Sequence, residues 1–234
     1  MTLFRTVILL VLAILAIPLH AEPPAIFANL KAGKKQTVVV YGTSLTVGGA
    51  WAVATKDWFQ QNYPGLVTFV NSGGSGQNSD WGVANLQKKI LDLNPDLVFI
   101  EFSFNDAHEK FKMPLEKGAK NLDTIIKGIQ AKNPHAAIVL MVMNVAWDAP
   151  NGNRSLSARP QLEQFNDNYR KYAKEHRLPL LDHFPNWQKL KDSDADKYHR
   201  LVPDGTHPSK EGSMEVTWPT IKAWLEQGKT EAGK

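Results

Sequence analysis

Five short apolar runs recur along this chain, at 37–42, 66–71, 96–101, 137–143 and 178–182, each followed by a stretch of helical periodicity. Runs of this length, rich in β-branched residues and bounded by Gly, Pro or Asn, read as buried strands. Between them Leu86, Ile90 and Leu93 share one helical face. So do Leu122, Ile125, Ile126 and Ile129, and Leu162, Phe165, Tyr169 and Tyr172. Asn94-Pro95 and Asn133-Pro134 stop two of these helices just before the next strand. A last helix carries Met214, Trp218, Ile221 and Leu225, with Pro219 expected to bend it. Strand–helix alternation implies an α/β fold with a parallel sheet covered on both faces. One domain over 37–228 is expected, with a short tail at 229–234. In such a sheet every strand ends at the same edge, and ligands bind there. Chemistry is therefore expected in the loops at 42–49, 71–81, 101–111, 144–157 and 182–207.

The N-terminus lies outside this alternation. Arg5 precedes an apolar run that ends near Leu19, and Ala21 offers a small residue before Glu22-Pro23-Pro24. That layout is a secretory signal peptide over 1–21, cleaved after Ala21, which predicts a secreted or periplasmic protein. The run is shorter than the ~20 residues a membrane span needs, so no stable membrane association is expected after cleavage. Residues 22–36, rich in proline and small side chains, read as an N-terminal extension. The formal charge of +4 is small and scattered, which gives no footprint for nucleic acid. The absence of cysteine excludes disulfides, thiolate metal sites and a cysteine nucleophile.

The first strand runs Val38-Val39-Val40-Tyr41-Gly42 into Thr43-Ser44-Leu45-Thr46. This places Ser44 at the carboxyl edge, either as a helix cap or as a nucleophile. The second loop, Asn71-Ser72-Gly73-Gly74-Ser75-Gly76-Gln77-Asn78, lacks the spacing of a phosphate loop or a dinucleotide site. Its N–H groups could serve an oxyanion, or it is simply a surface turn. In the third loop Asn105 and Asp106 either cap the next segment or supply an amide to a developing oxyanion. The last loop ends in Asp204-Gly205-Thr206-His207-Pro208. Histidine has the intrinsic pKa to shuttle a proton for serine, and a nearby carboxylate fixes its tautomer, although a lone Asp-x-x-His could equally cap a helix or ligate a metal.

Gly42-Thr43-Ser44-Leu45-Thr46 resembles the Gly-Asp-Ser-Leu block of the SGNH (GDSL) hydrolases. Gly76, Asn105-Asp106 and Asp204-Gly205-Thr206-His207-Pro208 are similar to that family's later blocks, in the same order. The resemblance implies a flavodoxin-like three-layer α/β/α sandwich with strand order 2-1-3-4-5. It also implies ester hydrolysis with Ser44 as nucleophile, His207 as base and Asp204 as its orienting acid. The Ser44 and Gly76 N–H groups and the Asn105 side chain would form the oxyanion hole. No cofactor and no metal are implied. Thr43 stands where that family usually has aspartate, so the hydrogen bonding around the serine turn is expected to differ.

Substrate signals are sparser. Trp81 and Trp147 fall in edge loops and could stack on a sugar face, although packing beneath a long loop is the commoner role for such residues. Phe102 and Phe104 replace the small residues common in the third block, and are expected to narrow the acyl pocket. The expectation is a secreted esterase taking short acyl groups, foremost acetyl, from a small-molecule or polysaccharide ester. The alternatives are a lipase, lysophospholipase or thioesterase on longer chains, and a carbohydrate-binding protein without catalysis. Lys191-Asp192-Ser193-Asp194-Ala195-Asp196 resembles the start of a calcium loop, yet Lys197 and Pro203 occupy positions that need glycine and an acid. It reads as a solvated loop.

Overall fold

The computed structural model of the protein describes residues 24–233. The signal-peptide reading of 1–21 lies outside the described residues. Five parallel strands form one sheet in the order β2-β1-β3-β4-β5. They are β1 (Gln36–Gly42), β2 (Val67–Asn71), β3 (Leu97–Glu101), β4 (Ala137–Val142) and β5 (Leu180–Asp182). Because β1 lies between β2 and β3, successive crossovers leave it on opposite sides. A crevice therefore opens at its carboxyl end, where Ser44 follows.

Strand alternation divides the interior into two cores. Val38 and Val40 of β1, Leu97 and Phe99 of β3, and Val139 and Met141 of β4 face one side. Val39 and Tyr41, Val98 and Ile100, and Ile138 and Leu140 face the other. The first face is covered by α1 (Ala25–Lys31), α3 (Ala50–Asn62) and α12 (Trp218–Glu231). The second is covered mainly by α7 (Leu115–Lys132), whose Leu122, Ile125, Ile126 and Ile129 are buried as their spacing predicts. The result is the expected α/β/α sandwich.

Local structure departs from expectation in three places. The segment read as an extension contains α1, whose Ile26, Phe27 and Leu30 are buried. Phe27 packs edge-on against Trp58 and Trp224, so this helix is part of the core. The face carrying Leu86, Ile90 and Leu93 is split into α5 (Leu86–Lys89) and a 3₁₀ turn, Leu91–Leu93. The Ser72 hydroxyl donates to the Lys89 carbonyl at 2.8 Å, and Asn94 in the left-handed region closes the turn. Finally, a π turn, Ser213–Thr217, precedes Pro219. Proline at the start of α12 is compatible with helix because the first-turn N–H groups have no intrahelical acceptor. Among the described residues no helix is long and apolar enough to cross a membrane.

Candidate active site

Gly42 ends β1 where only hydrogen fits, since a Cβ there would land on the Glu101 carboxylate and the Thr46 hydroxyl. The chain then turns directly into α2 (Ser44–Val47). Thr43 is the cap of that helix, its Oγ1 accepting from the Leu45 N–H at 3.1 Å. Of the two readings of Ser44, the cap is therefore already filled by its neighbour. The Ser44 hydroxyl is left free to meet His207, with Oγ 2.8 Å from Nε2.

The other ring nitrogen of His207 lies 2.7 Å from Asp204 Oδ2. Asp204 Oδ1 accepts the N–H groups of Thr206 and His207 at 2.9 and 2.7 Å. Burial raises the Asp204 pKa, but the hydrogen bonds from His207 and Thr206 outweigh it and hold the group below its ordinary value. It is thus ionised at neutral pH. The loop carrying this pair rests on a small apolar cluster of Val145, Trp187, Tyr198, Leu201 and Val202. The Asn144 amide donates to the Thr206 carbonyl at 3.0 Å and fixes the loop to the end of β4.

Gly76 has φ +70°, a conformation that favours glycine, and lines the cleft beside Ser44. Neither this N–H nor that of Ser44 has an acceptor among the described residues. The Asn105 amide gives one N–H to the Gln77 carbonyl at 2.7 Å, which leaves a second. Ser44, Gly76, Asn105 and His207 all line one cleft. Asp106 does not cap its own segment; its carboxylate accepts the Ser79 N–H at 2.8 Å and ties the third loop to the second.

Two residues that hold this arrangement were not singled out by the sequence. Glu101, 1 % exposed, ends β3 beneath the serine turn. It accepts the Thr43 N–H at 2.6 Å and the hydroxyls of Thr43 and Thr46 at 3.0 and 2.6 Å. Burial lifts its pKa to about 7 in spite of these donors. Arg159 is also buried, over the Phe104 ring. Its Nε donates to the Phe104 carbonyl at 2.8 Å, Nη1 to the Ser155 hydroxyl at 2.9 Å and Nη2 to Asn105 Oδ1 at 3.3 Å. Ser155 in turn accepts from the Thr206 hydroxyl at 2.8 Å. Burial lowers the Arg159 pKa to about 10, with Asp204 acting in the opposite sense, so it remains a cation. A charged residue closing an apolar run was the available signal for Glu101, because a buried carboxylate must find donors. Arg159 sits in an irregular loop and had no such signal.

The aromatic expectations need correction. Trp81 is tilted against Tyr41 and Phe102 inside the second core. Trp147 stacks on His199 and donates to the Val202 carbonyl at 2.6 Å, which braces the His207 loop. Neither lines the cavities beside Ser44. Phe102 and Phe104 are likewise core residues, Phe104 in the first core and Phe102 in the second. Asp194, in the acidic stretch, caps the following helix through the Lys197 N–H.

Two cavities meet at Ser44 and His207. One, about 140 Å³, is walled by Leu45, Trp51, Met143, Ser213 and Thr217. The other, about 330 Å³, is of mixed polarity and extends past Asn105 toward Lys110, Arg154 and Arg159.

Among protein-family models, the one described as the GDSL-like lipase/acylhydrolase family matches residues 40–214. The chain belongs to this family. As a GDSL-like, or SGNH, hydrolase it is an ester hydrolase. It is 25 % identical over 206 residues to thioesterase 1/protease 1/lysophospholipase L1 of Escherichia coli strain K12, covering 86 % of each chain. It is 28 % identical over 189 residues to an arylesterase of Vibrio mimicus, covering 75 % of this chain and 82 % of that one. The crystal structure of an acetylxylan esterase from Geobacillus stearothermophilus superposes with a TM-score of 0.67 at 19 % identity, over 82 % of this GDSL-like chain and 94 % of the other. That structure shows a shared fold.

Proposed function

We propose that this protein is a secreted serine esterase that removes short acyl groups, acetyl foremost, from a carbohydrate. The observation that carries the reading is the unbroken chain from Ser44 Oγ through His207 to Asp204, opening onto an acyl-sized cavity. His207 Nε2 takes the Ser44 proton as Oγ attacks the ester carbon. The tetrahedral oxyanion is met by the N–H groups of Ser44 and Gly76 and the spare N–H of Asn105. Its collapse returns the proton from His207 to the departing alcohol and leaves an acyl-enzyme. A water, deprotonated by the same imidazole, then releases the acid. Asp204 holds the proton on Nδ1 and stabilises the imidazolium.

The cavity supports the short acyl group. At roughly 30 Å³ for each water-sized group, about 140 Å³ holds roughly five, too few for a fatty chain. Trp51 lines it, pinned by an N–H donated from its ring to the Leu45 carbonyl at 2.9 Å. The lysophospholipase name of the Escherichia coli relative suggests longer acyl chains as the second reading. The signal-like N-terminus supports secretion. The test is acetate release from acetylated glycans, with Ser44→Ala as control and a p-nitrophenyl ester series from about two to twelve carbons alongside. Serine-dependent acetate release with rates falling beyond about four carbons is expected. Rates that rise beyond four carbons would sink the acetyl reading, and activity surviving Ser44→Ala would sink the mechanism.

A further inference from the structure

The larger cavity, on the far side of the Ser44–His207 pair from the acyl cavity, carries a charge pattern that ester hydrolysis alone does not require. Three cations line it: Lys110, Arg154 and Arg159. No aspartate or glutamate does. Asp204 is close by and ionised, so its field offsets part of that of Arg159, while its carboxylate is engaged by His207 and two backbone N–H groups. Lys110 and Arg154 are exposed and make no ion pair among the described residues. Asp148, whose field reaches Arg154, is itself hydrogen-bonded by the N–H and hydroxyl of Ser157. His108, on the same wall, is held below its ordinary pKa first by burial and then by the fields of Arg159 and Lys110. Three cations on the wall against two neighbouring carboxylates off it, Asp148 and Asp204, leave the cleft with an excess of positive charge, which low-dielectric walls concentrate.

Size assigns the occupant. The cleft of about 330 Å³ holds roughly eleven water-sized groups, about one pyranose ring, whereas the acyl cavity holds less than half of that. The acyl part goes to the small apolar side, which leaves the alcohol part of the ester facing the cations. We propose that the enzyme is selective for short-acyl esters of an anionic sugar, whose carboxylate or phosphate is bound by Lys110 and Arg154 at the rim and by the field of Arg159 beneath. Arginine and lysine together suit such oxyanions, arginine by its planar fork and lysine as a point charge. This inference rests on the serine-esterase reading of the same site. The small acyl cavity separates it from phospholipids, whose headgroups are also anionic but whose acyl chains are long.

The experiment compares kcat/KM on three matched acetyl esters: a methyl glucoside, the corresponding methyl glucuronoside and the corresponding glucoside phosphate. Binding of the three deacetylated sugars to Ser44→Ala is measured by calorimetry in parallel. At low ionic strength the charged esters should be preferred roughly tenfold, since two rim pairs are each worth a few-fold and Arg159 adds its field. The preference should shrink as salt rises. It should vanish in the Lys110→Gln/Arg154→Gln double variant and invert toward the neutral ester in Lys110→Glu/Arg154→Glu. Because each readout is a ratio within one enzyme, general loss of activity cancels. Whichever charged sugar is preferred identifies the anion. Equal rates and equal binding for all three sugars overturn the proposal, as does a preference that survives the double variant. Binding selectivity without hydrolysis of any ester, p-nitrophenyl acetate included, would overturn the esterase reading and leave the anion site standing.

Discussion

Met143 offers the most direct way to ask which cavity receives the acyl chain. Its side chain is buried, 3 % exposed, and forms part of the wall of the small cavity, with Trp51 and Thr217 among the other lining residues. Truncation to alanine removes three heavy atoms, which at roughly 30 Å³ each would enlarge the space by about two thirds. An added methylene that becomes buried is worth about 0.8 kcal/mol, close to fourfold in kcat/KM. Two further carbons should then fit, so the ratio of hexanoyl to butanoyl ester hydrolysis should rise roughly fifteenfold in Met143→Ala. The stability cost should lie near the lower end of the ~2–5 kcal/mol seen for such truncations, because the new space adjoins an open cleft and is not sealed. For a domain of this size that is a fall in Tm of roughly 5–10 °C.

The assay is kcat/KM along a p-nitrophenyl ester series, with a thermal melt of each variant. Ratios between esters are unaffected by the folded fraction. An unchanged hexanoyl to butanoyl ratio in a folded variant would mean that the acyl chain does not enter this cavity. The assignment of alcohol to the cationic side would then fall with it.

Two further outcomes follow from the geometry. Asn105→Ala should lower kcat by roughly 10²–10³ with a smaller effect on KM, the usual consequence of losing an oxyanion donor; an unchanged kcat would remove Asn105 from the mechanism. Glu101 and Asp106 are both lifted by burial to about 7, so the folded protein keeps protons that the unfolded chain releases near pH 4. Their contribution to stability is greatest below that pH and is lost as pH rises toward 7, the reverse of a salt-bridged carboxylate. Glu101→Gln should flatten this decline by on the order of 2 kcal/mol in urea unfolding between pH 4 and 8, and an unaltered slope would show that Glu101 does not titrate there.

The layout of the fold was legible because strand and helix periods differ, and because Asn94-Pro95 and Asn133-Pro134 mark where helices must stop. Strand limits agree to within a residue or two. The break between Lys89 and Leu91 was not legible, since apolar spacing reports which face is buried and not whether the helix continues. The Ser72 hydroxyl that claims the Lys89 carbonyl comes from another loop. The same distinction runs through the site. Asp204 and His207 sit three apart, so their pairing is a local matter that a motif can encode. Arg159 reaches Asn105 across 54 positions and is visible only once the loops are assembled. Trp81 and Trp147 could not be assigned from sequence because an aromatic in an edge loop can as readily brace the loop as face a ligand, and here both pack against protein.

Thr43 shows how a departure from a family pattern can be absorbed by one neighbouring residue. A hydroxyl both donates and accepts, and Thr43 uses both capacities, accepting from the Leu45 N–H while donating to Glu101. An ionised aspartate at the same position could accept but not donate, and would face the Glu101 carboxylate from the distance at which the hydroxyl now bonds to it. Two buried carboxylates so placed cannot both ionise without large cost. Glu101 already supplies the acceptor beneath the turn, taking the Thr43 N–H and the Thr46 hydroxyl. With that carboxylate on β3, a neutral residue at 43 is what the turn needs, and a threonine also caps α2. Position 43 and position 101 therefore act as one unit, and the free Ser44 hydroxyl in front of His207 is its product.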